Sequence, residues 1–194
     1  MGADVLVVSG FARCGSSLAM QMLRAGGVRC VGKPPAFEDM RSAPHGPIED
    51  RWFAKLGGRA VKVLEPALNR IPARVPRRAI WLDRDPEDQA RSYLRFLRVV
   101  HGVALGNDGA TIGKLARSLV RDRKRSIACL GVTPLIVPFE RMLAQPAAVA
   151  EEISTFAGLD LDRAAMAAVV GHRAQAHGPY AELGAGLIEE TAQG

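Results

Sequence analysis

The sequence predicts a three-layer α/β/α sandwich on a central parallel sheet, and three observations carry that prediction. Short apolar, β-branched runs alternate with longer stretches of helical period. The first run is closed by a glycine turn that opens a helix. Of the 194 residues 48% are apolar, enough for one substantial core and too few for two, so residues 1–194 are expected to form a single domain.

Val5-Leu6-Val7-Val8-Ser9, closed by Gly10, reads as a buried parallel strand. Ser16 to Ala25 then sets Leu18, Met22 and Leu23 at helical spacing, with Ser16 and Ser17 suited to the start and Gly26-Gly27 to the stop. Residues 32–50, rich in proline, glycine, histidine and acidic groups, keep no period and read as a long loop over the site. Ala60 to Leu64 and Ala79 to Leu82 form a second and a third strand, each followed by a carboxylate, Glu65 and Asp83. Pro86 opens a helix to about residue 100, another crosses roughly 110–130, Pro134 to Phe139 gives a fourth strand, and two more helical stretches follow. The last residues, about 178–194, read as a tail. In a parallel sheet of this kind ligands sit beyond the carboxyl ends of the strands, where Ser9, Glu65 and Asp83-Arg84 should converge.

Composition narrows the function classes. The formal charge of +6 is carried mostly by arginine, which favours flat, bidentate recognition of phosphate or sulfate. Nucleic acid is not the expected partner, because the basic residues of 70–98 and 117–125 lack interleaved aromatics. Cys14, Cys30 and Cys129 have neither disulfide nor zinc spacing, so free thiols and no metal are expected. With no apolar run near the roughly 20 residues a membrane span needs, and no leader-like segment before Val5, a soluble cytoplasmic protein is expected.

Gly10-Phe11-Ala12-Arg13-Cys14-Gly15-Ser16-Ser17 has the G-x-x-x-x-G frame of a P-loop, directly after a strand and opening a helix. Backbone N–H groups and the positive end of the helix dipole solvate a phosphate there. Ser16 stands where a triphosphatase carries its lysine, which disfavours triphosphate chemistry. A cysteine-phosphatase reading fails because Met20, not arginine, stands six positions after Cys14.

Ser9 to Leu18 resembles the 5′-phosphosulfate loop of sulfotransferases, with Ala12 where proline is usual. Arg84-Asp85-Pro86-Glu87-Asp88-Gln89-Ala90-Arg91-Ser92 is similar to the family's second mark, an arginine closing a strand with a serine eight positions on. Val137 to Pro146 is similar to its Y-E-D-L-x-x-x-P segment, and the likeness spans residues 5–160. The resemblance implies a P-loop NTPase-like fold and transfer of a sulfuryl group from 3′-phosphoadenosine 5′-phosphosulfate (PAPS), leaving 3′-phosphoadenosine 5′-phosphate (PAP), to a small-molecule or glycan acceptor. It implies that Arg13, Cys14, Gly15, Ser16, Ser17 and Leu18 hold the 5′-phosphosulfate, and that Arg84 and Ser92, with Arg173 as a late cationic contact, hold the 3′-phosphate. Gly178 to Gly186 does not match the family's glycine-rich C-terminal motif.

Sulfuryl transfer needs a base for the acceptor's proton and a cation for charge building on the bridging oxygen. Arg13 suits the second task. Lys62-Val63-Leu64-Glu65-Pro66, set against the family's Lys-x-x-x-Pro stretch, offers Glu65 as first choice for the base with Lys62 close by, and Glu49, His45 and Asp83 as alternatives. Two other functions compete: a nucleotide or small-molecule kinase, for which Asp83 could hold magnesium although the loop lysine is missing, and a noncatalytic adenine-nucleotide binder.

Overall fold

β1 (Val5–Ser9) is buried along its whole length. Leu6 and Val8 enter one core and Val5 and Val7 another, the alternation a strand must show when both sheet faces are covered. The protein is described here from a computed structural model covering residues 3–101 and 108–176, with side chains at 3–100 and 108–171. α1 (Ser16–Ala25) buries Leu18, Met22 and Leu23 and stops at Gly26, whose N–H reaches the carbonyl of Met22. Both elements have the bounds expected from the sequence.

The remaining elements are β2 (Arg29–Cys30), a 3-10 turn (Met40–Ser42), α2 (Asp50–Ala54), β3 (Arg59–Lys62) and β4 (Arg77–Asp83). They are followed by α3 (Pro86–His101), α4 (Gly109–Ala128), β5 (Leu135–Pro138), α5 (Phe139–Ala144), α6 (Pro146–Ala157) and α7 (Arg163–Ala176). The five strands pair in the order β2-β3-β1-β4-β5, all parallel. In register Val8 lies beside Lys62 and Ser9 beside Trp81, so the carboxyl ends of β3, β1 and β4 lie side by side. The chain builds β2 and β3 on one side of β1 and then crosses to build β4 and β5 on the other, which opens the crevice above β1.

One core lies between the sheet and α1, α5, α6 and α7, through Leu18, Met22, Met142, Ile153 and Met166. The other is closed by Trp52 and Phe53 of α2 and by Leu130 after α4. The arrangement is the expected α/β/α sandwich. α3 and α4 pair through Ala90, Leu94, Ile112 and Ala116. Among the described residues no helix is long and apolar enough to cross a membrane.

Several details differ from the sequence reading: α2 was not expected, β3 runs Arg59–Lys62 instead of 60–64, and β4 runs Arg77–Asp83 instead of 79–82. β2 was not expected, because two residues carry no period. The fourth strand ends at Pro138, whose backbone caps α5, so Phe139 begins a helix instead of closing the strand. Three helices, not two, complete the described chain, because Gln145 separates α5 from α6 and Pro146 restarts the helix. The 178–194 tail lies outside the described residues.

Candidate functional site

Three residues of the glycine turn have positive φ: Gly10 at 155°, Arg13 at 68° and Gly15 at 94°. At Gly15 the bare backbone is obligatory, since a Cβ there would stand 2.3 Å from the ring of Phe139. Gly15 precedes α1, no side chain caps that helix, and its first turn carries no acidic residue. The Ser16 N–H meets the Cys14 thiol, and the N–H groups that follow are left for an outside acceptor, at the positive end of the dipole. Cys14 is fully buried within the turn, and that burial pushes its thiol up to about 11. It is a neutral packing group, not a nucleophile.

The end of β4 and the start of α3 brace this turn. Asp85 accepts at its carboxylate from the N–H groups of Glu87 and Asp88, capping α3, while Pro86 supplies the first helical residue. That cap holds Arg84 against the turn: its Nη1 donates to the carbonyl of Arg13 at 3.0 Å and its guanidinium lies 4.7 Å over the ring of Phe139. Arg84 Nε is buried and has no hydrogen-bond partner among the described residues. From α3, Ser92 accepts at Oγ from Arg13 Nε at 3.3 Å, and the Arg13 guanidinium stacks 5.3 Å from the Phe96 ring. Ser92, Arg13 and Arg84 are thus joined in one chain of contacts across the crevice.

On the other flank the 32–50 loop is fastened down. Ala36 accepts from both Lys62 Nζ and Ser17 Oγ, Pro35 accepts from Gln21 of α1, and Glu38 pairs with Lys62 Nζ at 3.1 Å. The Lys62 side chain is 5% exposed, whereas Glu38 is 74% exposed. Burial holds the Lys62 ammonium below the ordinary lysine value, with Glu38 opposing the shift. Lys62 therefore serves here as the anchor of the loop.

Because the folded pKa of Lys62 is depressed, the unfolded chain binds the extra proton between that value and the ordinary 10.5, and stability from this group rises with pH across that window. Lys62→Met is expected to remove the rise, to leave neutral-pH stability within about 1 kcal/mol because the exposed Glu38 re-solvates, and to hasten proteolysis of the loop. Thermal melts against pH and limited proteolysis check this; an unchanged cleavage rate contradicts the anchor.

Glu65 has φ 51°, in the left-handed region that a glutamate rarely adopts. Its N–H bonds the carbonyl of Gly10 at 2.9 Å, its own carbonyl accepts from Leu68 and Asn69, and the buried Asn69 amide holds the preceding carbonyl of Leu64. A strained position held in place by these contacts makes Glu65 a candidate functional residue. Among the described residues its carboxylate has no hydrogen bond or ion pair. Asp83, in contrast, is gripped by Arg123 through contacts of 2.7–3.1 Å, so the carboxylate a kinase needs for magnesium is held in an ion pair. Glu49 and His45 are exposed on the loop, with the His45 N–H tied to Asn69 at 2.9 Å.

Among the solved structures that resemble the chain over most of its length are three sulfotransferases. A mouse sulfotransferase complexed with PAP superposes with a TM-score of 0.58 at 14% identity, covering 90% of this chain and 67% of its own. The sulfotransferase STF9 from Mycobacterium avium gives 0.55 at 16%, covering 91% and 69%. A sulfotransferase from Alicyclobacillus acidocaldarius gives 0.52 at 17%, covering 82% of each chain. The chain has the sulfotransferase fold. No family model and no curated protein matches it, and it spans about two thirds of the mouse enzyme's length.

Within this sulfotransferase fold, Arg13 to Leu18, Glu65, Arg84 and Ser92 all gather at the carboxyl ends of β1, β3 and β4. Arg173 lies in α7, and its side chain is outside the described ones. Sequence reasoning missed Phe139, which fills the space between Gly15 and Arg84, and Asn69, which ties the 32–50 loop to the strand end before Glu65. Phe139 stood inside the Val137 to Pro146 segment, but nothing local to that segment showed that its ring packs between Gly15 and Arg84. Asn69 carried none, because its role is set by folding of residues 24 positions apart.

Proposed function

We propose that the chain, as a single domain, transfers a sulfuryl group from PAPS to a hydroxyl or amine of a small-molecule or glycan acceptor. The observation that carries the reading is the uncapped N-terminus of α1, entered through a left-handed glycine turn and flanked by Arg13 and Arg84. The residues fit a doubly phosphorylated nucleotide. The opening amides of α1 and Arg13 suit a 5′-phosphosulfate, and the orphaned Nε of Arg84 with the Ser92 hydroxyl suits a 3′-phosphate. When bound, PAPS supplies the activated sulfuryl group. Arg13 offers its guanidinium to negative charge at the leaving phosphate, and Glu65 accepts the acceptor's proton at its carboxylate. Lys62 keeps the 32–50 loop against α1 and so screens the crevice from water. The cytoplasm is the compartment proposed, on the ground that Cys14, Cys30 and Cys129 are all free thiols.

Calorimetry tests the reading. PAP is expected to bind without magnesium and much more tightly than AMP, because Arg84 and Ser92 read the 3′-phosphate. Loss of one charge-assisted contact costs about 1.5–3 kcal/mol, so Arg84→Ala is expected to weaken PAP binding roughly 10- to 100-fold. Equal affinity for PAP and AMP, or normal binding by Arg84→Ala, rejects the assignment.

A further inference from the structure

An anion cradle requires its peptide N–H groups to face the ligand, and in a planar trans peptide the carbonyl then points the opposite way. Something must accept the duty of satisfying those outward carbonyls. In the glycine turn three in succession are met by side chains of the segment 84–89. Gln89 Nε2 donates to Phe11 at 3.3 Å and to Ala12 at 2.9 Å, and Arg84 Nη1 donates to Arg13 at 3.0 Å. Gln89 is 4% exposed, and its own N–H bonds the carbonyl of Asp85, the residue that caps α3. Its place is therefore set by the cap. A primary amide puts two N–H groups on one nitrogen, enough to serve two adjacent carbonyls without adding charge; a carboxylate of the same length would oppose acceptor to acceptor.

We propose that Gln89 is a positioning residue for the phosphosulfate cradle. By fixing the carbonyls of Phe11 and Ala12 it fixes the direction of the N–H groups of Ala12 and Arg13 on the same peptides. The segment that carries Arg84 and Ser92 then shapes the 5′ end of the site as well as the 3′ end. The inference rests on the reading of the crevice as a PAPS site.

The test compares wild type, Gln89→Met and Gln89→Glu by calorimetry with two ligands, PAP and adenosine 3′-phosphate, which lacks the 5′ group. Both variants are expected to lose about tenfold in PAP affinity, the size of one hydrogen-bonding interaction, while adenosine 3′-phosphate binds as in wild type. A general packing defect weakens both ligands alike, so the ratio of the two affinities isolates the cradle; either variant alone suffices if the other does not fold. Unchanged PAP binding, or equal loss for both ligands, overturns the role of Gln89. A wild-type chain that binds PAP no better than adenosine 3′-phosphate overturns the PAPS-site reading itself.

Discussion

Glu65→Gln is expected to lower turnover by about 10²- to 10⁴-fold, the contribution of a positioned general base, and to leave PAP affinity unchanged. The substitution keeps the size of the side chain and touches none of the backbone contacts that hold the residue, which run from its N–H to Gly10 and from its carbonyl to Leu68 and Asn69. Only proton acceptance is lost. The carboxylate has no partner among the described residues, so its loss leaves no ion pair broken to confuse the result. Full activity in Glu65→Gln, with activity abolished by changes at Glu49 or His45, moves the base into the 32–50 loop. The tie between His45 and Asn69 makes that a real alternative, since the same amide that supports the approach to Glu65 also holds His45.

Arg13→Ala is expected to reduce turnover by about 10²- to 10³-fold while PAP affinity falls much less. On the proposed function, backbone donors at the start of α1 serve the resting phosphosulfate with or without the side chain. On the same reading the guanidinium meets charge that grows as the sulfur–oxygen bond breaks, and an interaction stronger in the transition state than in the ground state acts on turnover. Its contacts with Ser92 and Phe96 hold the group on the α3 side of the crevice before any substrate arrives. Steady-state kinetics and calorimetry on the same preparation check this, and equal losses in binding and turnover would falsify it.

What could be read in advance followed the range of the physics involved. β1, the glycine turn and α1 were legible because strand period, turn glycines and helix spacing are local, and all three agree within 21 residues. The convergence of Glu65 and Arg84 on that turn was legible because a parallel sheet brings strand ends together whatever the loops do. The individual partners were not. The sequence pairs Arg84 and Ser92 at one end of the crevice, but it did not show that Ser92 also meets Arg13 or that Arg84 also meets the Arg13 carbonyl. Lys62, read as a companion of the base, lies buried beneath Ala36 and Glu38. Both outcomes depend on side-chain reach across 24 to 79 positions, which no local pattern encodes.

The buried thiol of Cys14 gives the cradle a built-in clock. With its pKa near 11 and no exposure, it reacts with an alkylating reagent only when the turn leaves its seat between Leu82 and Phe139. The exposed Cys129 reacts at once and marks the reagent's full strength. The half-buried Cys30 is told apart by its peptide, so the interval between modification of Cys129 and of Cys14, read by peptide mass spectrometry, counts openings of the glycine turn, and on the proposed function a nucleotide in the cradle lengthens it by the same factor by which it favours the closed form.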